Sequence, residues 1–333
     1  MTQWYKDAGL NITVSLCVFF SLLYAISPPV SLASGRGGNR GALYLLFRHG
    51  ARPEAMGGAF GAVGSDGNSI DYNPAGLGFV RRQEITATHI ESMESQRIEY
   101  LRWVQKYSNP WTSALALDFS GVQDVERDIY AQEHSDFYNY SIVGTLGLAY
   151  QVLDNLSLGL NTKIYGEKLY NESDINYAFD MGVMWQAPFS LPFGRNSRLR
   201  FGVSALNIGP KIELGGVKSQ VPETVKLSTS LYFYELYIPF IKNITLTSDV
   251  DMQSGGNPII STGLELQPFT FLSFRTGYKF SGDINDEGAF RLGFGVEQAY
   301  GVLDYAYIKY NTIDSMHIVT YTIPFGEKSV RKK

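Results

Sequence analysis

The five residues Arg48-His49-Gly50-Ala51-Arg52 place a histidine between two arginines. Such a spacing suits phosphoryl transfer. The imidazole would attack phosphorus, and the two guanidinium forks would hold the phosphoryl oxygens by charge-assisted hydrogen bonds. The leaving group would also need a proton from a nearby acid. The other histidines are His89, His134 and His317, followed by Ile90, Ser135 and Ile318. None is followed by an aspartate that would supply that proton.

Histidine acid phosphatases carry Arg-His-Gly-x-Arg-x-Pro and a downstream His-Asp pair. Here Glu54 stands where their proline belongs, and Pro53 comes one place early. Those enzymes also alternate helices with strands, and this chain does not. A short motif without its structural context carries little weight. No metal-ligand spacing, phosphate loop, nucleophile elbow or carboxylate pair stands out elsewhere. The expectation is therefore a protein with no catalytic residues, no metal and no cofactor.

Composition points away from a soluble enzyme. Of the 333 residues, 18% are charged and 14% aromatic, and 34 are glycine. Soluble domains average about 25% charged residues. Few charges with many aromatics and glycines suit an all-β protein whose outer face meets lipid. The net charge of −4 and the lack of a basic tract longer than the terminal Arg-Lys-Lys argue against a nucleic-acid partner.

The N-terminus has an apolar run, Leu10 to Ile26, then Pro28-Pro29 and Ser31-Leu32-Ala33. A basic residue ahead of it and small residues at its end read as a secretory signal over residues 1–33, with an uncleaved membrane anchor as the alternative. The single cysteine, Cys17, lies inside the run. Cleavage would leave a chain with no disulfide, thiolate or cysteine-metal chemistry.

From residue 83 onward the dominant pattern is alternation with period two. Ile142, Gly144, Leu146, Leu148 and Tyr150 alternate with Val143, Thr145, Gly147 and Ala149. Phe290, Leu292, Phe294 and Val296 alternate with Arg291, Gly293, Gly295 and Glu297. One face is apolar and aromatic; the other is small, polar or charged. The pattern predicts strands at 84–90, 98–106, 111–119, 139–150, 156–170, 174–186, 198–206, 222–234, 241–251, 258–267, 270–280, 289–297, 301–310 and 316–325. Fourteen is an even number, and most segments have the roughly ten residues of a tilted spanning strand. The fold class is thus all-β, a fourteen-stranded antiparallel transmembrane barrel over residues 83–326, with a tail at 327–333. Tight connections, such as 151–155 and 268–269, alternate with longer polar loops at 120–137, 207–221 and 281–288. The connection at 187–197 is too long for the tight side. Trp103, Trp111, Tyr232, Tyr234, Tyr305 and Tyr307 are expected on the lipid side or in its interface girdle. The inward face is expected to carry Asp118, Lys163, Arg200, Lys226, Arg275, Lys279, Arg291, Glu297 and Asp304. Of these, Lys163, Arg275, Arg291 and Glu297 are the chosen lumen charges, either cross-barrel pairs or the lining of a substrate path.

Residues 34–82 precede the first strand and are rich in glycine and alanine. They have too little apolar bulk for a core of their own, and a barrel interior would shelter them. Pro53 suits a helix start, and Asn73-Pro74 a turn. The block Gly50-Ala51-Arg52, Ala55-Met56-Gly57-Gly58-Ala59-Phe60, Asp66 and Tyr72-Asn73-Pro74-Ala75-Gly76-Leu77 resembles the N-terminal segment of FadL-like outer-membrane proteins, and more closely of the PorV/PorQ family. "ALNIGP" (205–210), "VPETVKLS" (221–228) and "LDYAY" (303–307) extend the resemblance over nearly all of the exported chain. The resemblance implies a hatch at the periplasmic mouth of the barrel, with Arg48, Arg52, Met56, Phe60, Asn73 and Pro74 in it. It places the protein in the outer membrane of a Gram-negative-type (diderm) bacterium, in contact with outer-membrane lipid. Its main implied function is docking of exported proteins in type IX-like secretion, with secreted proteins or secretion-system components as partners. The alternative is passive FadL-like transport of long-chain fatty acids or other hydrophobic small molecules.

Overall fold

A computed structural model describes residues 41–47, 49–91, 97–107, 110–127, 133–187, 197–236, 240–281, 289–310 and 315–326. The expected signal (1–33), the tail (327–333), Arg48 and most of the 187–197 connection lie outside the described residues.

Alternating side chains give a strand one apolar and one polar face, and closing the sheet leaves no unpaired edge inside lipid. The chain forms β1 (Gln83–Glu91), β2 (Arg97–Lys106), β3 (Trp111–Arg127), β4 (Glu133–Leu153), β5 (Leu156–Leu169), β6 (Glu172–Gln186) and β7 (Arg198–Ile208). A small hairpin of β8 (Ile212–Leu214) and β9 (Val217–Ser219) follows, outside the main sheet. Then come β10 (Thr224–Phe233), β11 (Asn243–Gln253), β12 (Ile259–Phe269), β13 (Leu272–Ser281), β14 (Ala289–Gln298), β15 (Gly301–Lys309) and β16 (Met316–Phe325). Fourteen strands close into an antiparallel barrel in which β7 pairs with β10 and β16 returns to β1. The closing register runs from Gln83 opposite Phe325 to Glu91 opposite His317. A ten-residue strand is about 34 Å long, and a tilt of about 40° brings its span to about 25 Å, the height of a lipid-facing band.

The burial phase is inside-out relative to a soluble protein. Leu146, Leu148, Leu158, Phe274, Leu292 and Val319 are exposed on the outer wall. Thr145, Asn161, Lys163, Arg275 and Arg291 on the alternate positions are buried. Two expected loops are partly strand. β3 and β4 stay paired beyond the 120–137 boundary as far as Arg127 opposite Glu133, because alternation continues through Gly121, Gln123, Tyr138 and Tyr140. The 207–221 loop folds into the β8–β9 hairpin, whose turn residues Gly215 and Gly216 both have positive φ.

The lumen is filled by residues 49–80. They form helix α1 (Ala51–Ala55), helix α2 (Ser69–Tyr72) and a 3₁₀ turn, Pro74–Phe79. Met56, Phe60, Val63, Ile70, Tyr72 and Leu77 are fully buried although they belong to no sheet. Pro53 is the third residue of α1 rather than its first, still within the turn where a missing N–H costs nothing. The upstream 3₁₀ turn Leu43–Leu46 lies at the end of the barrel that bears the β8–β9 hairpin. There Gly41 N–H donates to the Gln220 carbonyl at 3.1 Å, and Tyr44 meets Tyr165 edge-on. From this long-loop end the chain threads the lumen and leaves through Val80 into β1 at the opposite, short-turn end. The segment therefore runs along the lumen, in keeping with the expectation that the barrel interior shelters it. Its main-chain groups have wall partners at successive heights.

Close approach of this segment to the wall needs inward-facing glycines. A Cβ on Gly277 of β13 would lie 2.1 Å from Gly57 N, and one on Gly159 of β5 would lie 2.2 Å from Ala75 N. No side chain fits in either place.

Candidate functional site

A lumenal segment without a sheet of its own must satisfy its backbone against the wall. Residues 60–73 do so with wall side chains. Asp249 Oδ2 accepts from both Phe60 N–H and Gly61 N–H at 2.9 Å. Arg200 donates to the Val63 and Gly64 carbonyls at 2.6 and 2.7 Å. Ser230 donates to the Ala62 carbonyl and Ser204 to that of Tyr72. Asn161 donates to the Ile70 carbonyl at 2.7 Å, and Glu84 accepts from Gly67 N–H. Arg102 pairs with Asp71 of α2.

Helix α1 is held differently. Among the described residues, Ala51 N–H is the one backbone group of α1 bonded to the wall, at 2.9 Å from Thr320 Oγ1. Its charged side chains do the rest. Arg52 forks onto Glu265, with Nε and Nη2 each 2.9 Å from a carboxylate oxygen, and its Nη1 reaches Asp66 at 2.8 Å. Glu265 also accepts from Arg275, which continues to Asp304 at 2.6 Å. Glu54 pairs with Arg291 and accepts from the Tyr72 hydroxyl at 2.9 Å. Burial alone would lower the Arg52 pKa, but Glu265 and Asp66 outweigh it and hold it well above the usual value. That guanidinium stays charged at any physiological pH.

Two cavities of about 290 Å³ each lie above and below α1. The one at the long-loop end is amphipathic. Ile90, Ile98, Ile308 and Ile318 form an apolar side, facing Asp251, Lys279 and Arg291. These isoleucines sit on the lumen phase and cluster with Ala51, Ala55, Tyr100 and Ala306. The cavity at the short-turn end is polar, lined by Arg52, Asp66, Glu84, Arg275, Glu297 and Asp304.

The residues singled out from sequence fall as follows. Arg52 joins two wall strands to Asp66 as described. Met56 and Phe60 are buried beside Val63, Tyr72 and Tyr232. Asn73 caps the Pro74–Phe79 turn through Ala75 N–H and donates to the Gly61 and Val183 carbonyls, so Asn73-Pro74 is a structural joint. Lys163 is inward and pairs with Asp180 at 2.9 Å and Asn207 at 2.7 Å. Arg275 and Arg291 carry the ion pairs that surround α1. Glu297 lies on the same phase but at the open short-turn mouth, exposed. His49 and Arg52 do not converge on a phosphoryl site. The His49 ring stacks on Tyr100 of β2 at 3.4 Å, whereas Arg52 is committed to Glu265 of β12. Tyr232 is a correction. It is buried in the lumen, donates to the Val63 carbonyl and stacks on Tyr234, because β10 presents its even-numbered residues inward.

Asp249, Glu265, Glu84 and the inward isoleucines were not singled out from sequence. Their signal is position. Asp249 and Asp251 share the lumen phase of β11, Glu265 is the one acid of β12, and Ile90, Ile98, Ile308 and Ile318 are apolar residues on that same phase.

Residues 31–319 match the model of a family described as "Uncharacterised protein family (UPF0164)". The chain belongs to this family. No curated protein matches it by sequence. In structure the UPF0164 chain is similar to the Ralstonia pickettii toluene transporter TbuX, with 12% identity, a TM-score of 0.53, and 84% of this chain and 98% of that one covered. It is similar to the P. putida toluene transporter TodX, with 12% identity, a TM-score of 0.54, and coverage of 84% and 99%. A deltaS2S3 mutant of the TodX monoaromatic hydrocarbon channel gives 12% identity, a TM-score of 0.55, and coverage of 83% and 99%. At such identities the likeness is one of fold, a closed antiparallel barrel. It agrees with the FadL-like part of the sequence resemblance and leaves the PorV/PorQ part, with its secretion role, unsupported.

Proposed function

We propose that this protein is an outer-membrane barrel that passes small hydrophobic molecules, which enter at the long-loop end. The observation that carries the reading is the isoleucine-flanked cavity at the long-loop end of the lumen. Ile90, Ile98, Ile308 and Ile318 pack on Ala51 and Ala55 of α1 and give the cavity an apolar flank at one sector of the wall. An apolar solute gains about 25 cal/mol for each Å² it buries there. The volume, about 290 Å³, sits at the small end of ligand pockets, ~300–1,000 Å³, and favours a compact solute over a long acyl chain. The exposed apolar wall and the shared fold with two toluene transporters support the outer membrane of a diderm bacterium as its place. On this reading the lumenal segment is the plug of the resting state. Docking of exported proteins, the other expectation from sequence, draws on no feature of this lumen.

Isoleucine-methyl NMR of the detergent-solubilised protein tests the reading, with toluene as the probe. The methyls of Ile90, Ile98, Ile308 and Ile318 are expected to shift saturably. Outward Ile142 should follow only the micelle. Equal, unsaturable shifts at all five would refute a lumenal hydrophobic site.

A further inference from the structure

We infer that the gate of this barrel is helix α1 alone, swinging about Gly57-Gly58, while residues 59–80 stay seated. The inference rests on the transport reading only for what passes; ions report on the gate itself.

Three observations point to it. The two cavities occupy one sector of the barrel, and α1 stands between them. Glu54, Gly58 and Arg291 border the upper cavity, while Arg52, Asp66 and Arg275 border the lower. The five residues of α1 pack on β13 to β16, whereas the Pro74–Phe79 turn packs on β3 to β6, the far side of the lumen.

The second observation is the manner of attachment. Residues 60–73 are tied to the wall through backbone groups, which move only if the segment refolds. Among the described residues, helix α1 is tied to the wall through one backbone N–H and two side-chain ion pairs, Arg52 with Glu265 and Glu54 with Arg291. It is tied to the seated segment through side chains as well, Arg52 with Asp66 and Glu54 with the Tyr72 hydroxyl. Side-chain pairs open by rotamer change, on a far shorter timescale than refolding.

The third is the backbone at the ends of the helix. Gly50 has φ 120°, and Gly57 and Gly58 have φ 73° and 78°. Such values, open to glycine at little cost, let the chain re-aim on either side of a short rigid piece. Gly57 is pressed on Gly277 of the wall and so stays fixed as the pivot. Swinging α1 off β14 and β15 would join the upper and lower cavities into one passage along the β13–β16 wall.

The test is planar-bilayer conductance in potassium chloride, with parallel proteoliposome entry of a membrane-impermeant hydrophobic dye conjugate. In Arg52→Gln/Glu54→Gln, both latches lose their ionic partner. Openings should become about tenfold or more frequent, since breaking a buried ion pair exceeds one tenfold step. Arg200→Gln, which loosens residues 63–64, should conduct like the unmodified protein. In the double-variant background, Ala51→Cys/Thr320→Cys would tie α1 to β16 where its N–H already meets Thr320. Oxidation should close this variant and reductant reopen it. Heat-modifiable gel mobility checks that each variant is a folded barrel. A folded double variant that stays closed overturns the gate, as does one that stays leaky when the disulfide has formed. Openings without dye entry leave the gate standing and refute the transport reading.

Discussion

Glu265→Ala is the substitution with the clearest expected consequence. The carboxylate accepts three hydrogen bonds, two from Arg52 and one from Arg275, and its side chain is 2% exposed. Removing one partner of a buried pair costs about 3–5 kcal/mol, because the other charge is left without compensation. Here Arg52 keeps Asp66 and Arg275 keeps Asp304, so the lower value applies, about 3 kcal/mol. The loss falls mainly on seating of the lumenal segment, since two of the three bonds come from Arg52, while on the wall the β12–β13 backbone ladder is untouched and Arg275 keeps Asp304. At about 1.4 kcal/mol per tenfold, local opening of the segment becomes about a hundredfold more populated. Amide hydrogen exchange in micelles reads this directly. Amides near Ala51–Gly58 should exchange about a hundredfold faster, and those of β12 and β13, which lose one cross-strand pair but keep their ladder, should change far less. Adding Arg52→Ala removes the stranded charge, so the double variant should lose less than the two single losses combined. Uniform acceleration across segment and wall, or none in either, would refute the assignment of this network to the seating of α1.

Two further predictions concern the wall. Gly277→Val puts a side chain where a Cβ alone would lie 2.1 Å from Gly57 N; the barrel should fold, and residues 56–58 should lose exchange protection. Intact protection would mean that the segment does not rest on β13. Leu292→Arg, about mid-height on the outer wall, should cost about 2–4 kcal/mol in denaturant unfolding from lipid bilayers, and little in a soluble-protein reading where that face meets water.

The barrel itself was legible in the sequence. All fourteen expected strands occur, and their phase is right for Ile142 through Tyr150 and for Phe290 through Val296. The reason is local. A strand with lipid on one side and water or backbone on the other must alternate, and alternation is written in neighbouring residues. Strand ends were less legible. Alternation in β3 and β4 runs on past the point where lipid demands apolar side chains, so Gln123 and Asp136 looked like loop. The block from Gly50 to Leu77 showed from its small residues and missing apolar bulk that it needed shelter. Which groups meet inside that shelter was not written locally. The Arg52–Glu265 pair spans 213 positions and the Glu54–Arg291 pair 237. Nothing in either neighbourhood names the other partner. The meeting depends on which strand faces α1 after closure, and closure is decided only when β16 finds β1. The same holds for the four isoleucines, drawn from β1, β2, β15 and β16. Each is an unremarked apolar residue on the wrong phase until the closed barrel sets them side by side around one cavity.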